Sequence, residues 1–224
     1  MLSCRCVEVL LCGGVEVLKG GLGAIAESDE FTKGLGLQWQ ANPKASWSFV
    51  DQSKGSLRLY SDKISDEAKN YWDVPNILLQ KFPAEDFVVT TRLVFKPNQP
   101  LENEKAGLII MGQSYASLSL KNTKEGVQLV YAICTDASKG NPESEKELVK
   151  VLEGYVYFRV KITKGAKCLF GYSLDGKKYE DLPENFQAVT GRWVGAKVGL
   201  FCTRTSQVND AGYADFDWFR IEEK

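Results

Sequence analysis

The sequence predicts an all-β protein built as an antiparallel sandwich or barrel. Three observations carry this. From about residue 27 onward, short runs rich in Val, Ile, Leu, Phe and Tyr are separated by clusters of Gly, Pro, Asn, Asp and Lys, the pattern of many strands joined by turns. The runs alternate with period two: in "YVYFRVKIT" (155–163), Val156, Phe158, Val160 and Ile162 share one face, the core side, and Tyr155, Tyr157, Arg159 and Lys161 the other. No strand–helix–strand alternation occurs, which argues against a parallel sheet.

The strands read in order as "LQWQA" (37–41), "SWSFVD" (46–51), "SLRLYS" (56–61), "NILLQK" (76–81), "FVVTTRLVFK" (87–96), "AGLIIMG" (106–112) and "YASLSLK" (115–121). They continue as "VQLVYAIC" (127–134), "KELVKVL" (146–152), "YVYFRVKIT" (155–163), "KCLFGYSL" (167–174), "GAKVGLFC" (195–202) and "GYADFDWFRIEE" (212–223). Between them, "FKPNQPLENEKAG" (95–107) and "DASKGNPESEKE" (136–147) read as solvent loops, their charges keeping them hydrated. Asp175-Gly176 predicts a type I′ hairpin, because both central positions of that turn need φ > 0. "SDEAKNYW" (65–72) predicts at most one helical turn, with Ser65 as its N-cap.

At 224 residues the chain suits one large β domain or two small ones. Twenty-eight basic residues against 29 acidic leave a formal charge of −1, so no basic field draws nucleic acid or an anionic membrane. There is no histidine, which excludes a Ser–His–Asp triad, a Cys–His dyad and any His-ligated metal. No G-x-G-x-x-G, P-loop or G-x-S-x-G motif is present. Six cysteines occur with no C-x2-C pair; Cys134, Cys168 and Cys202 lie in strand-like runs and are expected to pack as small apolar residues. No run approaches the roughly 18 apolar residues of a membrane span. The opening "MLSCRCVEVLLCGGVEVLKGG" has Glu8 and Glu16 inside its apolar runs, so no export signal is readable. Residues 1–26 read as a linker or non-native extension, with a hairpin at Gly13-Gly14 as the other reading, and residues 27–224 as the folded domain.

Asp215 and Asp217 in "ADFDWF" raise a functional question. Two apart on a strand they share a face at roughly 7 Å, close to the acid–base separation of an inverting glycosidase. Two carboxylates side by side on one strand do not flank a sugar from opposite sides, however, so catalysis there is not expected.

The segments "SDEFTKGLGLQWQANPKASWSF" (28–49), "YWDVPNILLQKFPAEDFVVTTRLVFKP" (71–97), "EKAGLIIMG" (104–112), "GRWVGAKVGLFC" (191–202) and "ADFDWFRIE" (214–222) together resemble one family. It is the C-terminal concanavalin-A-like sandwich of glycoside hydrolase family 43, whose members are β-xylosidases and α-L-arabinofuranosidases. The resemblance covers about residues 27–223 and implies an antiparallel two-sheet jelly-roll sandwich. In full-length members a five-bladed β-propeller precedes this sandwich and carries the general base, the general acid and a carboxylate that modulates the acid's pKa. The resemblance therefore implies a supporting module of a glycosidase acting on xylan- or arabinan-type oligosaccharides, with the catalytic propeller as its partner. Only about 26 residues precede "SDEF", too few for propeller blades, so this chain alone is expected to be inactive. A free-standing carbohydrate-binding module for xylo-oligosaccharides is the alternative, and a degenerate fragment with no ligand a third. The parent enzyme is expected in the periplasm or outside the cell, and an orphaned interface would make the isolated domain self-associate.

The resemblance also places "ADFDWF" as the last strand. Its aspartates then have two readings. One is structural, with partners in loop backbone or neighbouring basic residues. The other is a structural calcium held by Asp29 and Asp217 where the first strand meets the last, although calcium wants six to eight oxygens. No cofactor is required on either reading. Among the tryptophans, Trp39, Trp47 and Trp218 are expected in the core. Trp72 and Trp193 sit beside turn residues and are expected to be accessible for sugar stacking or propeller contact. In the family a sandwich loop reaches over the propeller pocket; "FQAVTGRWVG" (186–195) is the matching segment here, with Phe186, Arg192 and Trp193 as its contacts.

Overall fold

The computed structural model describes residues 28–40, 48–51, 54–74, 77–152, 154–208, 210 and 212–223. The expected extension 1–26, with its hairpin reading, and Trp47 lie outside these residues.

Two seven-stranded sheets stack face to face. Numbered along the chain, the first sheet runs in the order β1 (Ser48–Asp51), β2 (Ser56–Tyr60), β14 (Tyr213–Glu223), β5 (Phe87–Lys96), β10 (Val156–Thr163), β11 (Lys167–Ser173) and β12 (Glu180–Gln187). The second runs β3 (Asp62–Lys63), β13 (Lys197–Arg204), β6 (Lys105–Met111), β7 (Tyr115–Thr123), β8 (Gly126–Cys134) and β9 (Ser144–Lys150), with β4 (Leu78–Lys81) also pairing β13. Every pairing is antiparallel except the short β3–β13 contact.

The period-two pattern decides which side chains meet between the sheets. Along β5, Phe87, Val89, Thr91, Leu93 and Phe95 are buried and their neighbours are not. On β10 the core face is Val156, Phe158, Val160 and Ile162, as the alternation requires. These pack with Leu57, Leu59, Phe216 and Phe219 against Leu108, Ile110, Leu118, Leu129, Val198 and Leu200 of the facing sheet. Cys168 and Cys202 belong to this core, and burial pushes the Cys168 thiol up to about 12.

A second, smaller core lies on the outer face of the second sheet. The segment after β3 folds back as a flap whose 3-10 turn, Tyr71–Asp73, is capped by the Asn70 side chain accepting from Trp72 N at 2.8 Å. Asn70 Nδ2 also donates to Ala137 O (2.9 Å) and Asn141 O (2.8 Å), which ties the flap to the loop after β8. Tyr71, Val74 and Ile77 of the flap cover Ile109, Met111, Tyr115, Cys134 and Phe201.

Several local expectations are corrected. Of the strand expected over 37–41, the described residues 37–40 turn and make a single bridge, Gln40 to Leu79, instead of a strand. The single turn expected at Ser65 does form, with Ala68 N donating to Ser65 O (3.0 Å) and Glu67 N to Ser65 Oγ (3.3 Å), and the 3-10 turn Tyr71–Asp73 follows it. Asp175-Gly176 is not a type I′ turn, because only Gly176 has positive φ (72°). The Asp175 carboxylate instead accepts from Lys178 N (2.9 Å), Lys177 N (2.8 Å) and Ser173 Oγ (2.9 Å), bonds that hold its pKa down to about 2. Strand β12 was not expected at all. Its "EDLPENFQ" buries only Leu182 and Phe186 and carries Pro183, a composition tolerated at a sheet edge.

Candidate functional site

The loop between β12 and β13 makes the most exposed apolar feature of the described surface. It lies close over the end of β6: Gln113 N donates to Thr190 O at 3.0 Å. A Cβ on Gly112 would fall 1.9 Å from Val189 O, so glycine is what lets the two backbones approach. The loop projects Trp193, which is 90% exposed, with Val189 and Val194 also exposed beside it.

A groove of about 300 Å³ runs along one side of this loop, lined by Trp72, Leu79, Met111, Arg192, Trp193 and Val194 among others. A second groove of about 310 Å³ lies along the other side, between Phe82, Ala166, Ala188 and Val189. Lys81 and Lys197 edge these grooves and stand directly opposite each other on β4 and β13. Like charges in a cross-strand pair oppose each other. Burial first, and the Lys81 charge second, lower the Lys197 pKa.

Of the residues expected to contact sugar or propeller, the structure thus brings together Trp72, Arg192 and Trp193. It does not bring Phe186 with them. Phe186 is 6% exposed and lies in the main core opposite Cys168, because the unforeseen β12 turns it inward.

The aspartates of β14 are held by arginines. Asp215 and Asp217 share the outer face of the first sheet, as the alternation predicts; the bulge comes at Asp217 and sets Trp218 on that face beside them. Asp215 takes a bidentate bond from Arg58 of β2 (2.6 and 2.7 Å), and Asp217 pairs with Arg92 of β5. The hydrogen bond to Asp215 raises the Arg58 pKa further above its already high range. The same arginines lie over aromatic rings: Arg58 over Tyr213 at 3.8 Å, Arg92 over Tyr155 at 4.2 Å and over Trp218 at 4.6 Å. Arg159 covers Tyr179 at 4.1 Å and pairs with Asp181 at 2.8 Å. The outer face of the first sheet is therefore closed by its own arginine–carboxylate and arginine–aromatic contacts. Trp218, expected in the core, lies on this face between Arg92 and Arg220. Trp39 meets its expectation, packing on Phe219 at 4.9 Å between ring centroids.

Asp29 reaches the last strand as expected, pairing with Phe219 through backbone bonds of 2.7 and 2.8 Å. Its carboxylate accepts from Phe31 N (2.8 Å), Gly36 N (3.1 Å) and Trp39 Nε1 (2.9 Å), while that of Asp217 faces Arg92. The two carboxylates therefore serve different donors. No group of three or more His, Cys, Asp or Glu placed to hold a metal occurs among the described residues.

Sequence reasoning missed Lys81 and Lys197. Each reads as an ordinary surface lysine, and only the β4–β13 register sets them face to face. It also missed Glu104, a fully buried carboxylate that accepts from Gly212 N (2.8 Å), Asn98 N (2.5 Å) and Ser61 Oγ, joining three loops at one end of the sandwich.

Two antiparallel sheets over one core, with an outer apolar loop and no catalytic constellation apparent among the described side chains, define a concanavalin A-like module. The chain belongs to the family of β-xylosidase C-terminal concanavalin A-like domains of glycoside hydrolase family 43, whose model matches residues 28–222. It is 25% identical over 211 residues to a β-xylosidase of Formosa agariphila, covering 84% of this chain and 33% of that protein. Its structure is similar to the xylan β-1,4-xylosidase of Bacillus halodurans (TM-score 0.70, 21% identity, 91% of this chain and 40% of that one). It is likewise similar to a bifunctional family 43–carbohydrate esterase protein of Bacteroides eggerthii (TM-score 0.70, 26% identity, 88% and 27%). The chain spans about a third of the length of the curated relative it matches.

Proposed function

We propose that this sandwich supports the catalytic β-propeller of a family 43 glycosidase acting on xylan- or arabinan-type oligosaccharides, and docks on it through the loop 188–196. The observation that carries this is the exposed Trp193 between two apolar grooves on a molecule whose first-sheet outer face is closed by its own contacts. An indole in that position is a typical anchor for a partner surface. The rim formed by Lys81, Arg192 and Lys197 fits a partner carboxylate, which would relieve the repulsion between the two opposed lysines. Closure of the propeller's substrate pocket by this loop would follow from docking.

The test is co-elution of the chain with the family 43 catalytic domain encoded in the same genome. Xylo-oligosaccharide hydrolysis by that domain is then compared with and without the sandwich. A stable complex with raised turnover is expected. Absence of a complex, or hydrolysis by the 224-residue chain alone, would overturn the proposal.

A further inference from the structure

A separate pocket of about 270 Å³ opens on the other side of the flap, and shares none of its lining with the Trp193 grooves. Tyr71 faces this pocket and its neighbour Trp72 faces the docking groove. The polar side is built from strands of the second sheet. Lys105 Nζ of β6 binds Glu143 Oε1 at 2.8 Å and also pairs with Glu145. Lys121 Nζ of β7 binds Glu145 Oε1 at 2.5 Å. Tyr115 OH donates to Glu143 Oε2 at 2.9 Å, and Tyr71 OH and Thr203 Oγ1 share a bond of 3.2 Å. Ile64 and Ala68 of the flap make an apolar wall, and exposed Asn103 and Thr205 stand at the mouth.

Three features of this arrangement point to a ligand. The two lysines and two glutamates of the cluster cancel in charge, and the remaining charge on the lining is that of Lys69, which is exposed and screened by solvent. Donors and acceptors nonetheless remain to be used. Of three N–H groups on each ammonium, Lys105 spends two and Lys121 one, and a carboxylate has about four acceptor sites. The Asn103 side chain has no protein partner among the described residues. Finally, partly buried ion pairs are seldom the most stable filling for such a site, and apolar residues of equal volume generally do as well or better. Here the pairs border a solvent-open cavity rather than a closed core.

Adjacent hydroxyls on a ring each need a donor and an acceptor, and a lysine beside a glutamate supplies both. The wall of Ile64 and Ala68 suits the C–H face of such a ring. The volume sits just below the roughly 300 Å³ at which sites for drug-sized ligands begin, which limits the occupant to about one ring.

We propose that this pocket binds a single neutral sugar ring or a polyol of that size, between the Lys105–Glu143–Lys121 cluster and the flap. The proposal does not rest on the docking reading. The experiment is calorimetric titration of the full chain with methyl β-D-xylopyranoside and, separately, with inorganic phosphate. Thr205→Trp, which narrows the mouth from an exposed position, and Lys121→Gln are the variants, each first checked for an unchanged melting temperature. Saturable sugar binding with a millimolar dissociation constant is expected, the scale for a ligand of about ten heavy atoms. Thr205→Trp is expected to weaken it at least about tenfold, and Lys121→Gln by a similar factor, the loss typical of a charged hydrogen bond. Phosphate is expected not to bind. No saturable sugar binding, binding of phosphate alone, or sugar binding that survives both variants and is lost in Trp193→Ala would each overturn the proposal.

Discussion

Replacing Trp193 by alanine separates a docking role from a folding role. The indole is 90% exposed in the chain, so its removal takes almost no buried surface from the fold. The expected change in folding stability lies within about 0.5 kcal/mol. At roughly 2–4 °C per kcal/mol for a domain of this size, the melting temperature should move by no more than about 2 °C. Docking is different, because nearly the whole side chain remains to be covered. A tryptophan buries about 150–250 Å². At about 25 cal/mol/Å² the upper bound on its contribution is roughly 4–6 kcal/mol. Alanine truncation of anchors of this kind typically costs about 2–4 kcal/mol, which corresponds to roughly 30- to 1,000-fold in affinity. The assay is calorimetric titration of the catalytic domain with each form of the sandwich, beside thermal denaturation of each form alone. In sedimentation velocity the wild-type chain should also self-associate as concentration rises, and the variant less so. Unchanged affinity for the catalytic domain would refute the assignment of Trp193 as an anchor. A fall in melting temperature of more than about 5 °C would refute the claim that it is free of the fold.

Phe186→Ala is expected to behave in the opposite way, since Phe186 is in the core: a loss of about 3–5 kcal/mol and a melting temperature lower by roughly 10 °C, which differential scanning calorimetry reads directly. Excess chelator and millimolar calcium should give the same melting temperature, because the oxygens of Asp29 already accept N–H bonds and Asp217 faces Arg92; a rise with calcium that chelator reverses would restore the metal reading. Acid should destabilise the sandwich. Bonds from Arg220 hold Glu30 below its ordinary 4.5; burial opposes, but bonds from Lys105 and Lys121 outweigh it and lower Glu145; Asp175 sits at about 2 instead of 3.8. Because these carboxylates bind protons more weakly in the fold than in the unfolded chain, their contribution is complete above about pH 5 and is lost as pH falls through 4 toward 2. The melting temperature should be flat from pH 7 to 5 and decline below, and a flat profile down to pH 3 would contradict these pairings.

Strands with strong alternation were legible because the pattern is local. In β10 every second residue is apolar, in β5 every second residue but Thr91, and burial of that face is the only economical arrangement. Strand β12 carried no such pattern. It is an edge strand whose two buried side chains, Leu182 and Phe186, are separated by exposed residues and a register slip against β11. Missing it placed Phe186 in a loop. The Asp-Gly pair was misread for a related reason: a carboxylate free to cap backbone N–H groups at Asp175 competes with the type I′ geometry.

The candidate site was legible in part. Trp72 and Trp193 were singled out because turn residues flank them, and flanking turns predict exposure without contacts between distant segments. What such a reading cannot reach is pairing between residues far apart in the chain. Arg58 with Asp215, Lys81 with Lys197, and Lys105 with Glu143 are each joined only by strand register. By itself the sequence determined an all-β sandwich and a tryptophan-bearing loop, because alternation and turn chemistry act between near neighbours, and its long motifs carried the resemblance to the family 43 C-terminal sandwich. Only the tertiary structure decided that Phe186 is core, that the β14 aspartates are spent on arginines, and that one flap separates an apolar groove from a polar pocket. Those outcomes depend on which strands lie side by side, and that is settled by burial summed over the whole core.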